Sequence, residues 1–341
     1  MPYLSTKGIA AAIIGAASVA AHGHIKAINV AGTYYDGYDT GVDPYKSDPP
    51  TLVAWTASNT NEGFIAPSAY ASSDIICHVD AKPAGGYATA NAGDKVELYW
   101  TDWPATHKGP VIDYLARCAD DDCVNVEKTS LEFFKIDAVG LVSDSDAPGT
   151  WASDHLISNN NSWLIKIPSD LASGNYVLRH EIIALHSADE SDGAQNYPQC
   201  FNLAITGTGS LKPTGTPGKS LYAESDAGIF LDIYKKLDGY QIPGPTQIAD
   251  GTNLPQSSIA VKHRAAAVTD VKGAASGAAA AAATTTAAAT GSAASKSAAH
   301  HGTTPSASSA AQTKSVAAAK VTSAAGESCR KRRHARDVLK A

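Results

Sequence analysis

The segment "YVLRHEIIALH", residues 176–186, belongs to a set of β-forming runs that limits what this chain can fold into. The others are "HIKAINV" at 24–30, "KVELYW" at 95–100, "LEFFKID" at 131–137, "SWLIKI" at 162–167 and "CFNLAIT" at 200–206. Several alternate apolar and polar residues, as a strand with one buried face does, and clusters of Gly, Pro, Asn and Asp separate them. Many short strands without repeated helical periods predict an all-β, antiparallel sandwich. Irregular stretches such as 32–74 are expected as long surface loops, the class of segment that often carries function.

Charge divides the chain. Residues 22–249 hold 14 Lys+Arg against 29 Asp+Glu, a net of -15, while residues 250–341 hold 12 against 4, a net of +8. An acidic body repels phosphate backbones, so nucleic acid is not expected as a partner; a neutral polymer meets no such penalty. Residues 1–21 read as a secretory signal: Lys7 supplies a positive start, "IAAAIIGAASVAA" an apolar run, and Val19 and Ala21 a small-residue cleavage site. That run falls short of the about 20 apolar residues a membrane span needs, and no later segment approaches one. Residues 22–249 are the expected folded body. Residues 250–341, rich in Ala, Ser and Thr and ending in "CRKRRHARDVLKA", are expected as a disordered tail without a carbohydrate-binding module.

Secretion places the cysteines in an oxidising compartment. Four lie in the body and allow three pairings. Cys118 and Cys123 are close enough to close a local loop, which leaves Cys77 for Cys200; zinc is the weaker alternative, since no CxxC pair is present. Cys329 stands alone in the tail. "NNS" at Asn160 is an N-glycosylation sequon.

Cleavage after Ala21 would make His22 the first residue and free its α-amino group. Such an amine has a pKa of about 7.7–8.0 against about 10.4 for lysine, so a metal displaces its proton readily near neutral pH. Amine and imidazole Nδ1 of one residue can chelate one ion, and a third nitrogen would complete a planar set. Tetragonal nitrogen ligation suits Cu(II). His24 shares a strand face with His22 but completes the set awkwardly. His107, in the Pro- and Gly-flanked "WPATHKGPVIDYL", and His186, at the end of "YVLRHEIIALH", are comparable candidates. Gln195 and Tyr197 are two apart, so on an extended segment both face one way, and the loop 187–194 can return them to His186. The structural role open to Tyr197 is that of a core tyrosine.

"HGHI", "HKGPVIDYLA", "KTSLEFFKI", "NNNSWLIKIP", "GNYVLRHEIIALHSA", "GAQNYPQCFNL" and "YQIPGP" together resemble the fungal lytic polysaccharide monooxygenases of auxiliary-activity family nine, formerly glycoside hydrolase family sixty-one. The resemblance covers residues 22 to about 248. It implies an immunoglobulin- or fibronectin-III-like sandwich with one copper ion per catalytic domain, held by His22 and His107 with Tyr197 axial. It also implies His186 and Gln195 as an outer-sphere pair that handles oxygen, and the disulfides Cys77–Cys200 and Cys118–Cys123. Tyr240, in "DGYQIPGP", aligns with a glucan-contacting surface tyrosine; its alternative is a packed C-terminal anchor. Tyr45, in "VDPYKSDPP", is a second candidate for that contact. The implied activity is oxidation of cellulose or a related β-glucan at C1 and/or C4, by a secreted monomer using an external electron donor and O2 or H2O2. A glycoside hydrolase with two carboxylates and a non-catalytic copper- or glucan-binding sandwich are the competing classes.

Overall fold

The computed structural model describes residues 22–265 and 268, all within one compact unit, Met1–Ala280. The expected signal at 1–21, the basic end and Cys329 lie outside the described residues. Thirteen strands follow in chain order: β1 (Ile25–Val30), β2 (Thr33–Asp36), β3 (Ala88–Asn91), β4 (Lys95–Trp100), β5 (Val111–Arg117), β6 (Glu132–Val139), β7 (Leu141–Ser143), β8 (Thr150–Trp151), β9 (Ser162–Lys166), β10 (Gly174–Ala184), β11 (Gln195–Thr206), β12 (Thr216–Pro217) and β13 (His263–Arg264). Two short α-helices join them, α1 (Asp74–Cys77) and α2 (Ala152–Ser158).

One sheet has the order β13-β2-β1-β4-β9 and the other β12-β6-β5-β10-β11-β3, with a separate β7-β8 ribbon. The expected sandwich is present, with one correction. Two pairs are parallel, β3 on β11 and β13 on β2. Both lie at sheet ends, where a strand arriving from elsewhere in the chain can dock in either direction.

Strand β10 explains how a run with Arg, His and Glu at its centre can be wholly buried. Its even positions, Tyr176, Leu178, Ile182 and Ala184, face the core between the sheets, against Ile28, Leu98 and Trp163. Its odd positions Val177 and Ile183 face a second apolar layer that includes Ile75 and Ile76 of α1. A strand covered on both faces carries little outward polar alternation, and its polar residues must be paired. Arg179 donates to both Glu181 oxygens, at 2.9 and 2.8 Å, and to the carbonyls of Ile75 and Ile76. On the other face His180 Nδ1 meets Asp113 Oδ1 at 2.8 Å, and Trp100 donates to His180 Nε2 at 3.0 Å.

Both predicted disulfides are formed. Cys77–Cys200 ties α1 to β11, and Cys118–Cys123 closes the turn after β5. Asn160 is exposed in a turn with φ 58°, while Ser162 of the same sequon is buried.

The boundary at 249 requires a second correction. Residues 250–265, read from composition as tail, run from β6 of the second sheet across onto the first. Asn253 donates to the Ala138 carbonyl at 2.8 Å, Gln256 accepts from Leu164 N at 2.7 Å, and Ile259 N donates to buried Glu97 at 2.7 Å. β13 then pairs with β2. The low-complexity pattern begins beyond this strap, and the predicted disorder there lies outside the described residues.

Candidate metal centre

The site forms at one rim of the sandwich, where β1 and β11 begin and β4 hands over to β5. His22 leads into β1 through Gly23 and His24. A side chain at Gly23 would meet Thr101 Oγ1 at 2.6 Å, so only glycine lets the arm lie against the β4 end. There Thr101 N donates to the His24 carbonyl at 2.9 Å, and Ile25 N donates to Gln199 Oε1 of β11 at 2.6 Å.

His107 sits in a turn, its own N–H donating to the Pro104 carbonyl at 2.9 Å. Trp103 Nε1 donates back to the His107 carbonyl at 2.9 Å, locking the turn from inside. The following Gly109 passes so near β10 that a Cβ there would lie 1.8 Å from the Ile183 carbonyl oxygen. Leu185 N completes the contact by donating to the Lys108 carbonyl at 2.8 Å. His107 and His186 are thereby brought ring on ring, with centroids 4.0 Å apart and planes at 30°.

His22 and His107 face each other edge-on, with centroids 5.6 Å apart and planes at 79°. Tyr197 lies 5.9 Å from His22 and packs on Trp103 at 5.0 Å. Its hydroxyl donates to Gln195 Oε1 at 2.7 Å. The register of β10 and β11 pairs Ala184 with Gln195 and Ile182 with Tyr197, which places His186 beside the start of β11.

The electrostatics fit a cation. Burial, then His186 and His22, push the His107 imidazole down to about 4. Burial and His22 lower His186, and burial lowers His22, with Glu62 opposing. All three rings are therefore neutral near pH 7 and hold free lone pairs. Burial raises the Tyr197 phenol, so it stays protonated. His107 Nε2 and His186 Nδ1 are buried without a hydrogen-bond partner, and an orphaned buried nitrogen needs an explanation. With the proton on His107 Nδ1, Thr106 Oγ1 at 3.2 Å accepts it and Nε2 presents its lone pair. Among the described residues no three His, Cys, Asp or Glu side chains gather as a metal site. Two imidazoles, with the amine that cleavage before His22 would free, would form a donor set of a different kind, and the unpartnered His107 Nε2 fits it.

A sequence model of auxiliary activity family 9 (formerly GH61) matches residues 22–241. The chain belongs to auxiliary activity family 9. Its relatives include AA9 family lytic polysaccharide monooxygenase D of Podospora anserina, 53% identical over 81% of this chain and 79% of that one. AA9 family lytic polysaccharide monooxygenase cel61A of Hypocrea jecorina is 52% identical over 75% of this chain and 74% of its own. A solved structure, the extended catalytic domain of H. jecorina LPMO9A, is similar at 52% identity with a TM-score of 0.70, covering 73% of this chain and all of that one. Family 9 enzymes are copper-dependent oxidoreductases, and this chain is an enzyme of that class.

His22, His107, His186, Gln195 and Tyr197 thus converge. Tyr240 is half-buried. Its hydroxyl donates to the Gly228 carbonyl at 2.8 Å, and its ring packs edge-on against buried Trp151 at 4.8 Å. Tyr45 is 75% exposed, so its ring face is available; Phe230 at 53% and Tyr234 at 56% are exposed too, and sequence reasoning had not selected them. Also unselected were Phe64, 6.0 Å from His22 and 6.1 Å from Tyr197, and Glu62, whose carboxylate meets His24 Nδ1 at 2.8 Å. Both lie inside the long loop 32–74, where no periodicity marks one residue from the next. His24, a neighbour of the expected ligand, is committed to Glu62. Among the described residues no helix is long and apolar enough to cross a membrane.

Proposed function

We propose that this family 9 enzyme, secreted after removal of residues 1–21, would hold one copper ion through the His22 amine and Nδ1 and through His107 Nε2, with the Tyr197 phenol beside them. The supporting observation is the meeting of His22 and His107 beside an unpartnered, buried Nε2. Bound copper would supply one-electron exchange with a donor and activation of O2 or H2O2. The protein supplies the rest. Trp103 and the Gly109–β10 contact hold His107 in place, so the donor geometry is set before the ion arrives. Tyr197 presents an un-ionised phenol, adding no anion to the site. Gln195 offers both donor and acceptor, and neutral His186 one of each, so together they can orient an oxidant without a carboxylate. Burial excludes water from the inner side of the ring cluster.

The substrate class proposed is cellulose or another β-glucan, oxidised at C1 and/or C4. Such a polymer is uncharged and meets no repulsion from the acidic body. Tyr45 offers a ring face on which a pyranose C–H surface can stack. The protein acts as a monomer at the polymer surface, with an external electron donor.

The test is product mass spectrometry on cellulose with copper and ascorbate. Secreted protein beginning at His22 is expected to release aldonic acids, C4-oxidised ends or both, and His107→Ala to release neither. Native oligosaccharides alone, unaffected by chelation, would assign hydrolysis instead.

A further inference from the structure

The three-residue arm His22–His24 is gripped on the Thr101 and Gln199 side by backbone hydrogen bonds. On its other side it meets the loop 59–65. That loop is tightly built: Glu62 N donates to the Asn59 carbonyl at 2.7 Å and Gly63 N to Asn61 Oδ1 at 3.0 Å. It is latched to β11 by a two-way bridge between Ile65 and Asn196, at 2.9 and 3.0 Å, one residue from Tyr197. At its tip Glu62 adopts φ 54°, a left-handed conformation a glutamate enters only when its surroundings hold it there. That conformation delivers Glu62 Oε1 to His24 Nδ1 at 2.8 Å, while Phe64 lays its ring 6.0 Å from His22.

We propose that Glu62 is a positioning residue for the metal-binding arm: through His24 it fixes the direction in which His22 leaves β1, and its carboxylate favours the higher charge state of a copper ion held there. The inference rests on the proposed copper site and adds a residue to it. The Glu62 side chain is 27% exposed, so it avoids the cost of full burial. The carboxylate stands against His24, two residues along the arm from the His22 imidazole. A dipositive ion on the same imidazole would register it more strongly than a monopositive one. Outer-shell partners that orient a ligand act on affinity as well as on potential.

Glu62→Gln keeps the length of the side chain and an oxygen acceptor for His24 but removes the charge; Glu62→Ala removes both. The measurements are Cu(II) affinity by isothermal titration, the Cu(II)/Cu(I) midpoint potential by voltammetry and the Cu(II) electron paramagnetic resonance spectrum, all on secreted full-length protein. Glu62→Gln is expected to raise the midpoint potential and leave a single sharp spectrum. Glu62→Ala is expected to raise it too, weaken Cu(II) binding about tenfold or more, and split or broaden the spectrum as the arm samples several directions. If Glu62→Ala does not fold, the glutamine variant carries the potential measurement alone. Wild-type potential and affinity in both variants would overturn the role of Glu62. Absence of Cu(II) binding in wild type would overturn the copper site itself, a separate result.

Discussion

Single residues here are explained by what they touch. Arg179 and Glu181 are completely buried, yet each is matched: the guanidinium spans a carboxylate and two carbonyls, and Asn196 donates to Glu181 Oε1 at 2.9 Å. Truncating Arg179 to alanine would strand the carboxylate, so a loss of about 3–5 kcal/mol is expected in chemical denaturation; a smaller loss would mean the carboxylate takes up a proton. His78 makes a pH prediction. It is 1% exposed, burial lowers its imidazole to about 4, and Val79 N donates to its Nδ1 at 2.9 Å, which requires that nitrogen unprotonated. The unfolded chain binds this proton below about 6.5 and the folded chain resists it. The His78 contribution is thus complete above pH 6.5 and lost as pH falls toward 4, a decline of about 3 kcal/mol. His78→Gln should flatten the wild-type unfolding free energy against pH by that amount; identical slopes would show that His78 accepts its proton in the folded state.

At the scale of elements, the strap 250–265 is the feature composition misjudged. Truncation after Ala249 removes the Ile259 N–H from buried Glu97, the Gln256 contacts on Leu164 and the β13 pairing on β2. A few hydrogen bonds at about 1 kcal/mol each should lower the melting temperature measurably. Copper affinity should be unchanged, because the strap touches neither the His22 arm nor the His107 turn. A melting temperature equal to wild type would make the strap dispensable. The strands themselves were legible: "KVELYW" coincides with β4, and "SWLIKI" and "CFNLAIT" fall within a residue or a few of β9 and β11. Periodicity is a local property, and neighbouring residues carry it. Short edge pieces such as β2, β12 and β13 escaped notice because a strand of two to four residues is too brief to show a period.

Across the whole molecule, the proposed site depends on loops and strand ends meeting at one rim. His22 precedes β1, His107 lies between β4 and β5, His186 follows β10, and Gln195 and Tyr197 open β11. The sandwich brings these points together because β1 pairs with β4 in one sheet and β5, β10 and β11 are neighbours in the other. The disulfide Cys77–Cys200 holds the long loop 32–74 against β11, which is how Glu62 and Phe64 reach the same rim.

The amino-acid order alone determined the β-rich segments, the acidity of the body, the cysteine pairing and the imidazoles offered at His22 and His107. These follow from local pattern, composition and the chemistry of individual side chains. Only the tertiary structure decided that Tyr240 packs against Trp151, that residues 250–265 belong to the body, and that Glu62 serves His24. Each of those depends on which distant backbone lies within hydrogen-bonding reach. Strand register and loop closure set that proximity, and no window of neighbouring residues contains it.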